Sequence, residues 1–289
     1  MILGSAVPID AAPRTQGRQP PAPPALSARA VRALLLPGLL LPGLLLLLWA
    51  LAASCRWLPP QILPAPLDVA MALRDLLGSA ETASHAASSA RRVAGGFGIG
   101  ALLGLGLAAL MARVPPARDS LFPPLEALAR VPVLGWLPLL LLLPAGIGET
   151  PVRLLVGGVT LVPVALHTLR GLDGVPARYL ELGRVLGYTR WQQLSRIVVP
   201  AALATVWRGL RVGLAQAWLA LAGIELLAAD KGLGSLIADG RAAGRPDRML
   251  AAAVLVGASG WALDRLLAAI EARLAKRRGT GPPLEERTE

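Results

Sequence analysis

Apolar residues run along this chain in long blocks separated by shorter polar stretches. A helix rises about 1.5 Å per residue, so about 20 consecutive apolar residues cross a bilayer core. Six blocks approach or reach that length: Val31–Ala53, Val93–Met111, Leu125–Leu143, Val152–Leu169, Leu203–Ala228 and Met249–Ile270. Each predicts a spanning helix. No period-two alternation of a membrane β-barrel is visible. The expected fold class is therefore all-α, a polytopic membrane protein of six transmembrane helices. Pro37 and Pro42 fall inside the first block, and Pro132 and Pro138 inside the third. A spanning helix tolerates proline where neighbours bond the freed carbonyls. In the second block Gly96, Gly100 and Gly104 recur every fourth residue and bare one helix face to close approach. Such a face serves either static packing or a sliding contact. Arg56–Arg92 is more polar and predicts short amphipathic helices on the far side of the membrane from the N-terminus. Asp230–Arg248 is expected to be a short outside loop.

Composition agrees with this pattern. Of 289 residues, 54% are hydrophobic and 16% charged, with mean hydropathy +0.57. Soluble domains carry roughly 25% charged residues. A soluble enzyme, a disordered chain and a secreted disulfide scaffold are excluded. One cysteine, Cys55, and two histidines, His85 and His167, leave no internal disulfide and too few ligands for a Cys- or His-rich metal centre. The expected organisation is a disordered cytoplasmic tail over 1–30, a transmembrane domain over 31–275 and a charged tail over 276–289.

The net charge of +11 would suggest nucleic acid in a soluble protein. Here it sets topology instead, and no nucleic-acid partner is expected. With the N-terminus inside, the inside segments hold 20 of the 29 basic residues. The positive-inside rule then places both termini in the cytoplasm.

The largest inside loop, Val175–Pro200, is strongly punctuated. Pro176 suits a helix start. Tyr179, Leu180, Leu182, Val185 and Leu186 make a short amphipathic helix. Gly187 is placed to end it with a left-handed cap. Thr189 opens a second helix, with Gln192 completing a capping box, and Pro200 suits the first turn of the next helix. A helix, glycine turn and helix of this size suit a soluble partner's grip.

The spacing Glu181, Gly187, Ile197, Pro200 matches the cytoplasmic "EAA" motif of binding-protein-dependent ABC importer permeases. That pattern is Glu-Ala-Ala, three residues, Gly, nine residues, Ile, one residue, Leu-Pro. Leu182 and Gly183 stand for the alanines here, and Val199 for the leucine. Gly209-Leu210-Arg211-Val212-Gly213-Leu214, Ala217-Trp218, Glu225-Leu226 and Gly232-Leu233-Gly234-Ser235-Leu236-Ile237 are similar to the nitrate/sulfonate/taurine permeases. So are Trp136-Leu137-Pro138 and Gly146-Ile147-Gly148-Glu149. The resemblance covers about Ser88–Arg273. It implies a type I ABC importer permease of the bacterial inner membrane, working as a homodimer or pseudo-dimer. It further implies two ATPase subunits and a periplasmic solute-binding protein. Tyr179, Leu180, Glu181, Gly187, Ile197 and Pro200 then form the ATPase-coupling loop, and the solute is expected to be a small anion.

Independent signs agree. No G-x-x-x-x-G-K-[ST] phosphate loop is present, nor H-E-x-x-H or G-x-S-x-G. No catalytic residue and no cofactor are expected in this chain, ATP being used by the partner. Glu225 is the main intramembrane carboxylate, and an ionisable group at that depth is a functional hypothesis by default. It lies 14 residues beyond Arg211, about 21 Å along a helix. Glu225, Arg211 and Trp218 are the candidates for a translocation path or gate. Pairing of Glu225 with an arginine, or capping of a broken helix end, is the alternative. Arg91 and Arg92 open the second span, either as interfacial side chains or as an attraction for substrate. A stand-alone secondary transporter or channel is the competing class; it would need coupling charges and inverted halves, neither of which is evident.

Overall fold

Helix boundaries follow the punctuation of the sequence. The structure, a computed structural model, describes residues 28–132, 135, 148–228 and 230–277. Leu-rich α1 (Ala28–Ser54) is followed by α2 (Pro66–Gly78), which starts on a proline whose missing N–H is harmless in a first turn. Ser79 ends α2 and caps α3 (Ala80–Arg113), its Oγ accepting from Glu81 N at 3.2 Å. Next come α4 (Pro115–Ala129), α5 (Glu149–Asp173), α6 (Ala177–Val185) and α7 (Arg190–Gln193). A π-turn (Leu194–Val198) leads into α8 (Val199–Ala228), then α9 (Ser235–Ala242) and α10 (Pro246–Arg277). No strand occurs among the described residues.

Four helices among the described residues are long and apolar enough to cross a membrane: Ala80–Arg113, Glu149–Asp173, Arg190–Leu227 and Pro246–Leu274. Leu40–Ser54 of α1 is a shorter apolar stretch. The chain divides into two units, Met1–Leu48 and Trp49–Glu289. The described part of the first is α1 up to Leu48.

Three expected boundaries move. The second span begins at Ala80, not Val93, because Ser79 supplies the cap and a polar face carrying His85, Ser88, Ser89 and Arg92 is buried. The third is expected at Leu125–Leu143, but α4 ends at Ala129, with Arg130 and Val131 closing it through bonds to Ala127 O and Leu128 O. The remainder, including Trp136-Leu137-Pro138, falls outside the described residues apart from Val131, Pro132 and Gly135. Of the motif Gly146-Ile147-Gly148-Glu149, the first two residues likewise fall outside. The fifth span has no start near Leu203. Helix runs unbroken from Arg190 to Leu227, and Pro200, lacking an N–H, is the second residue after the π-turn that widens the ladder. The stretch Asp230–Arg248, expected as an outside loop, contains α9. The expected tails lie almost wholly outside the described residues, with α1 starting at Ala28 and α10 reaching Arg277.

Helix α5 is the centre of the bundle, with α3 on one side and α8 on the other. Lipid gives apolar helix faces no reason to leave it, so close backbone packing must hold them together. Glycine provides this on both sides. A Cβ on Gly96 would lie 2.6 Å from Val156 Cβ, and one on Gly104 2.8 Å from Leu161 O. A Cβ on Gly100 would overlap Gly157 O. Against α8, a Cβ on Gly209 would lie 2.7 Å from His167 Cβ, and one on Gly213 3.1 Å from Val164 Cγ2. Two apolar clusters fill the bundle. Val93, Val152, Val156, Leu214, Leu221 and Ile224 occupy the end near Glu149; Ala108, Met111, Leu125, Leu166 and Leu169 occupy the end near Asp173. A third, Val69, Ala72 and Ala251, fixes α2 against α10.

Candidate functional site: a polar node and a docking loop at opposite ends

Glu149 starts α5 and Asp173 ends it, so the two residues mark opposite ends of the bundle. At the Glu149 end, Glu225 is 2% exposed. Arg92 Nη1 donates to its Oε1 at 3.1 Å, and Gly234 N donates to Oε2 at 3.1 Å. Ser89 Oγ lies 2.9 and 2.8 Å from the two carboxylate oxygens and accepts from Leu233 N at 2.8 Å. Arg92 also donates to Lys231 O, and its Nε and Nη2 donate to Glu149 Oε1 at 3.1 and 2.9 Å. His85 Nδ1 lies 3.1 Å from Gly232 N and 3.2 Å from Ser235 Oγ, which donates to Gly232 O at 2.9 Å. Gly232 has φ +136°, and a Cβ there would overlap the Glu225 carboxylate. Only glycine fits.

This arrangement decides what Glu225 can do. A buried carboxylate is costly unless paired and hydrogen-bonded, and here it is both. It fastens Lys231–Ser235 to α3 and α8, realising both the arginine partner and the capping of the chain beyond α8. One of its partners has a signal in the sequence: Arg92 opens the predicted second span. Ser89 and His85 carried no motif.

Arg211 and Trp218 sit elsewhere. Arg211 forms a two-bond pair with Asp264 of α10, Nε···Oδ1 3.0 Å and Nη2···Oδ2 2.9 Å. Trp218 Nε1 donates to Val256 O at 3.1 Å, and its ring lies so close to Gly260 that a Cβ there would be 2.6 Å from Cδ1. Both join α8 to α10. A mainly apolar cavity of about 670 Å³ lies along α5 and α8, with Leu154, Gly158, Val162, His167, Arg170 and Gln216 on its walls. Among its described lining residues are none of the three path candidates, so the structure does not gather them into one site. Asp264, the missed partner of Arg211, carries no sequence signal beyond its charge.

At the Asp173 end, Arg118 of α4 grips Asp173 with bonds of 3.1 and 2.7 Å. Beyond it lies α6. Pro176 is its N-cap, and Gly187 follows its end with φ +72°. Tyr188 N bonds to Gly183 O at 2.9 Å and Gly187 N to Arg184 O at 3.0 Å. Thr189 and Gln192 form a complete capping box, with bonds of 2.9 and 3.2 Å. Tyr179, Glu181 and Pro200 are exposed, and Leu180 and Ile197 half-buried. Gly183 is buried, and a Cβ on it would lie 2.8 Å from Ile197 Cδ1 and 3.3 Å from Gln193 Cγ. The motif's small position and its isoleucine are therefore one contact, which holds α6 against the π-turn. Arg178 stacks over Tyr179 at 5.2 Å and Arg196 over Tyr188 at 5.6 Å.

No group of three or more metal-ligating side chains occurs among the described residues. The sequence model of the binding-protein-dependent transport system inner membrane component family matches residues 100–276. A putative aliphatic sulfonates transport permease protein of Bacillus subtilis is 31% identical over 86% of this chain and 88% of its own length. The taurine transport system permease protein of Escherichia coli is 31% identical over 79% of this chain and 85% of its own length. A nitrate import permease protein of Synechocystis is 33% identical over 64% of this chain and 66% of its own length.

Proposed function

This chain belongs to the binding-protein-dependent transport system inner membrane component family, and from that membership we propose that it is the permease subunit of an ATP-driven importer of a small anion. Sulfonate, taurine and nitrate are the solute classes in the relatives' names. The subunit works as one of two permease copies, with two ATPase subunits on the cytoplasmic side and a solute-binding protein outside. Both termini are cytoplasmic. The chain holds no cofactor of its own, since ATP is spent by the partner.

The observation that carries this reading is the exposed face of α6. Tyr179 is 45% exposed, Leu182 55%, Val185 84% and Leu186 59%. Apolar side chains grouped beyond the spans mark an interaction surface. The helix bearing them is fixed at Gly183–Ile197 to a π-turn that continues without a break into spanning α8. A push on α6 therefore passes into the bundle through rigid helix rather than a loop.

Reconstitution tests it. The chain is co-expressed with its ATPase and binding-protein partners, placed in proteoliposomes, and assayed for import of radiolabelled taurine, a sulfonate and nitrate. Import of one of them that requires ATP and the binding protein is expected. Uptake driven by an ion gradient without ATP would overturn the reading in favour of a secondary transporter.

A further inference from the structure

At the Glu149 end of the bundle, two guanidinium groups contact one exposed carboxylate, and a third lies farther off. Arg92 takes Glu149 Oε1 with two bonds of 3.1 and 2.9 Å. Glu149 Oε2 is left 3.5 Å from Arg153 Nη2, a long contact between groups that are 50% and 42% exposed. Arg91 is exposed, its Nη2 3.5 Å from Ser88 Oγ one turn before it, and its charge acts on the same carboxylate from beyond ion-pair distance. Glu225 offers no relief, since Arg92, Ser89 and Gly234 already occupy it. Arg153 Nε is buried and has no hydrogen-bond partner among the described residues.

The Arg153 side chain is not a loose surface arm. Its stem lies on the bare backbone of Gly95 in α3, where a Cβ would come 3.3 Å from Arg153 Cδ. The guanidinium is thus positioned beside the first turn of α5, whose N-cap Gly148 offers no side-chain cap. A helix start of this kind favours negative charge. The cluster holds more positive charge than its one shared carboxylate can answer, and an arginine fork suits the paired oxygens of an oxoanion.

We propose that Arg153 and Arg91 form an entry site for a small oxoanion, the sulfonate or nitrate group of the solute, with Glu149 as the internal carboxylate it displaces. This rests on the reading of the chain as an anion importer. The incoming group takes the Arg153 guanidinium, and the Glu149 carboxylate turns its Oε2 away while Oε1 keeps its two bonds to Arg92. Because Glu149 remains in reach, it returns and releases the anion inward. The site attracts without holding, as a transport path requires.

The test uses the full-length chain in phosphatidylcholine nanodiscs. Phenylglyoxal modifies exposed arginines, and mass spectrometry reads the rate at each residue. Methanesulfonate and nitrate at millimolar concentration are the probes. Both should slow modification of Arg153 and Arg91 several-fold and leave Arg178 of α6 unchanged. Glu149→Gln should lower the concentration giving half protection, because the competitor loses its charge; a purely structural Glu149 would not produce that gain. Unchanged modification of Arg153 under both probes overturns the proposal. So does protection that appears on replacing phosphatidylcholine by phosphatidylglycerol but not on adding either probe, since the anion is then a lipid phosphate. No ATPase or binding protein takes part, so the two readings fail separately. Anion import without Arg153 protection removes the entry site alone; protection without import of any anion removes the importer reading alone.

Discussion

Arg92 Nη1 and Glu225 Oε1 lie 3.1 Å apart although 133 positions separate them in the chain. Around this contact the backbone of Lys231–Gly234 finds its partners in side chains: Arg92 for Lys231 O, His85 for Gly232, Ser89 for Leu233 N and Glu225 for Gly234 N. The pair is a fastening for a segment that has no helical ladder of its own to satisfy it.

Glu225→Ala should therefore destabilise the chain strongly. It strands Ser89 and Gly234 N and leaves one arm of Arg92 unanswered. Breaking a buried pair by removing one partner costs about 3–5 kcal/mol. Glu225→Gln keeps one acceptor oxygen and should fall between the alanine variant and wild type. Thermal unfolding in detergent micelles measures both. A Glu225→Ala melting temperature equal to wild type would show that the node does not hold the segment.

Gly100 makes a second prediction. Its Cα faces Gly157 O and Thr160, where a Cβ would lie 2.7 Å from Thr160 Cβ. Since the obstacle is backbone, Gly100→Leu must drive α3 and α5 apart. Overpacking costs about 1–3 kcal/mol, and this variant should reach the top of that range. Gly98→Leu is the control, because nothing lies within 4 Å of its Cβ position. Yield after detergent extraction should fall for the first and hold for the second.

Most of the spans and the local fold of Val175–Pro200 are legible because each is written locally. Apolar length fixes a spanning helix, and Pro176, Gly187, Thr189 and Gln192 each act within a few residues. The third span was not separable from the helix over Pro115–Ala129, because Pro123 and Pro124 sit inside that helix without ending it. The node was half legible: Glu225 stood out as an isolated carboxylate, but its partners come from α3 and the segment after α8, and no spacing rule links them. Gly183 shows the same limit. Read along the sequence it is a substituted alanine; in space it is the seat of Ile197.

Topology yields a third prediction, and the structure chooses its reporters. Ser235 is 3% exposed and bonded to Gly232 O, so a cysteine there would stay silent on either side of the membrane. Ala242 at the end of α9 and Ser195 in the π-turn are exposed and lie at opposite ends. In a Cys55→Ala background, an impermeant maleimide added to intact spheroplasts should label Ala242→Cys and spare Ser195→Cys. The reverse pattern would invert the orientation expected from charge.

Coupling gives the last prediction. The helix α6 can transmit force only if both its ends and its seat are fixed. Its end depends on Gly187, whose φ of +72° puts any Cβ in conflict with the following carbonyl, a strain of about 1–2 kcal/mol. Its seat depends on Gly183, where a side chain would meet Ile197 at 2.8 Å. The two positions fail differently. At Gly187 nothing lies within 4 Å of a new Cβ, so Gly187→Val changes only the backbone and should tilt the exposed apolar face. Gly183→Val lifts the whole helix from the π-turn. Both variants should insert normally, since neither residue lies in a span, and both should lose ATPase co-purification and solute-stimulated ATP turnover. Gly187→Asn separates strain from bulk, because asparagine tolerates the left-handed region, and it should restore most of the turnover that Gly187→Val loses. Wild-type subunit association and turnover in both valine variants would mean that α6 is not the lever.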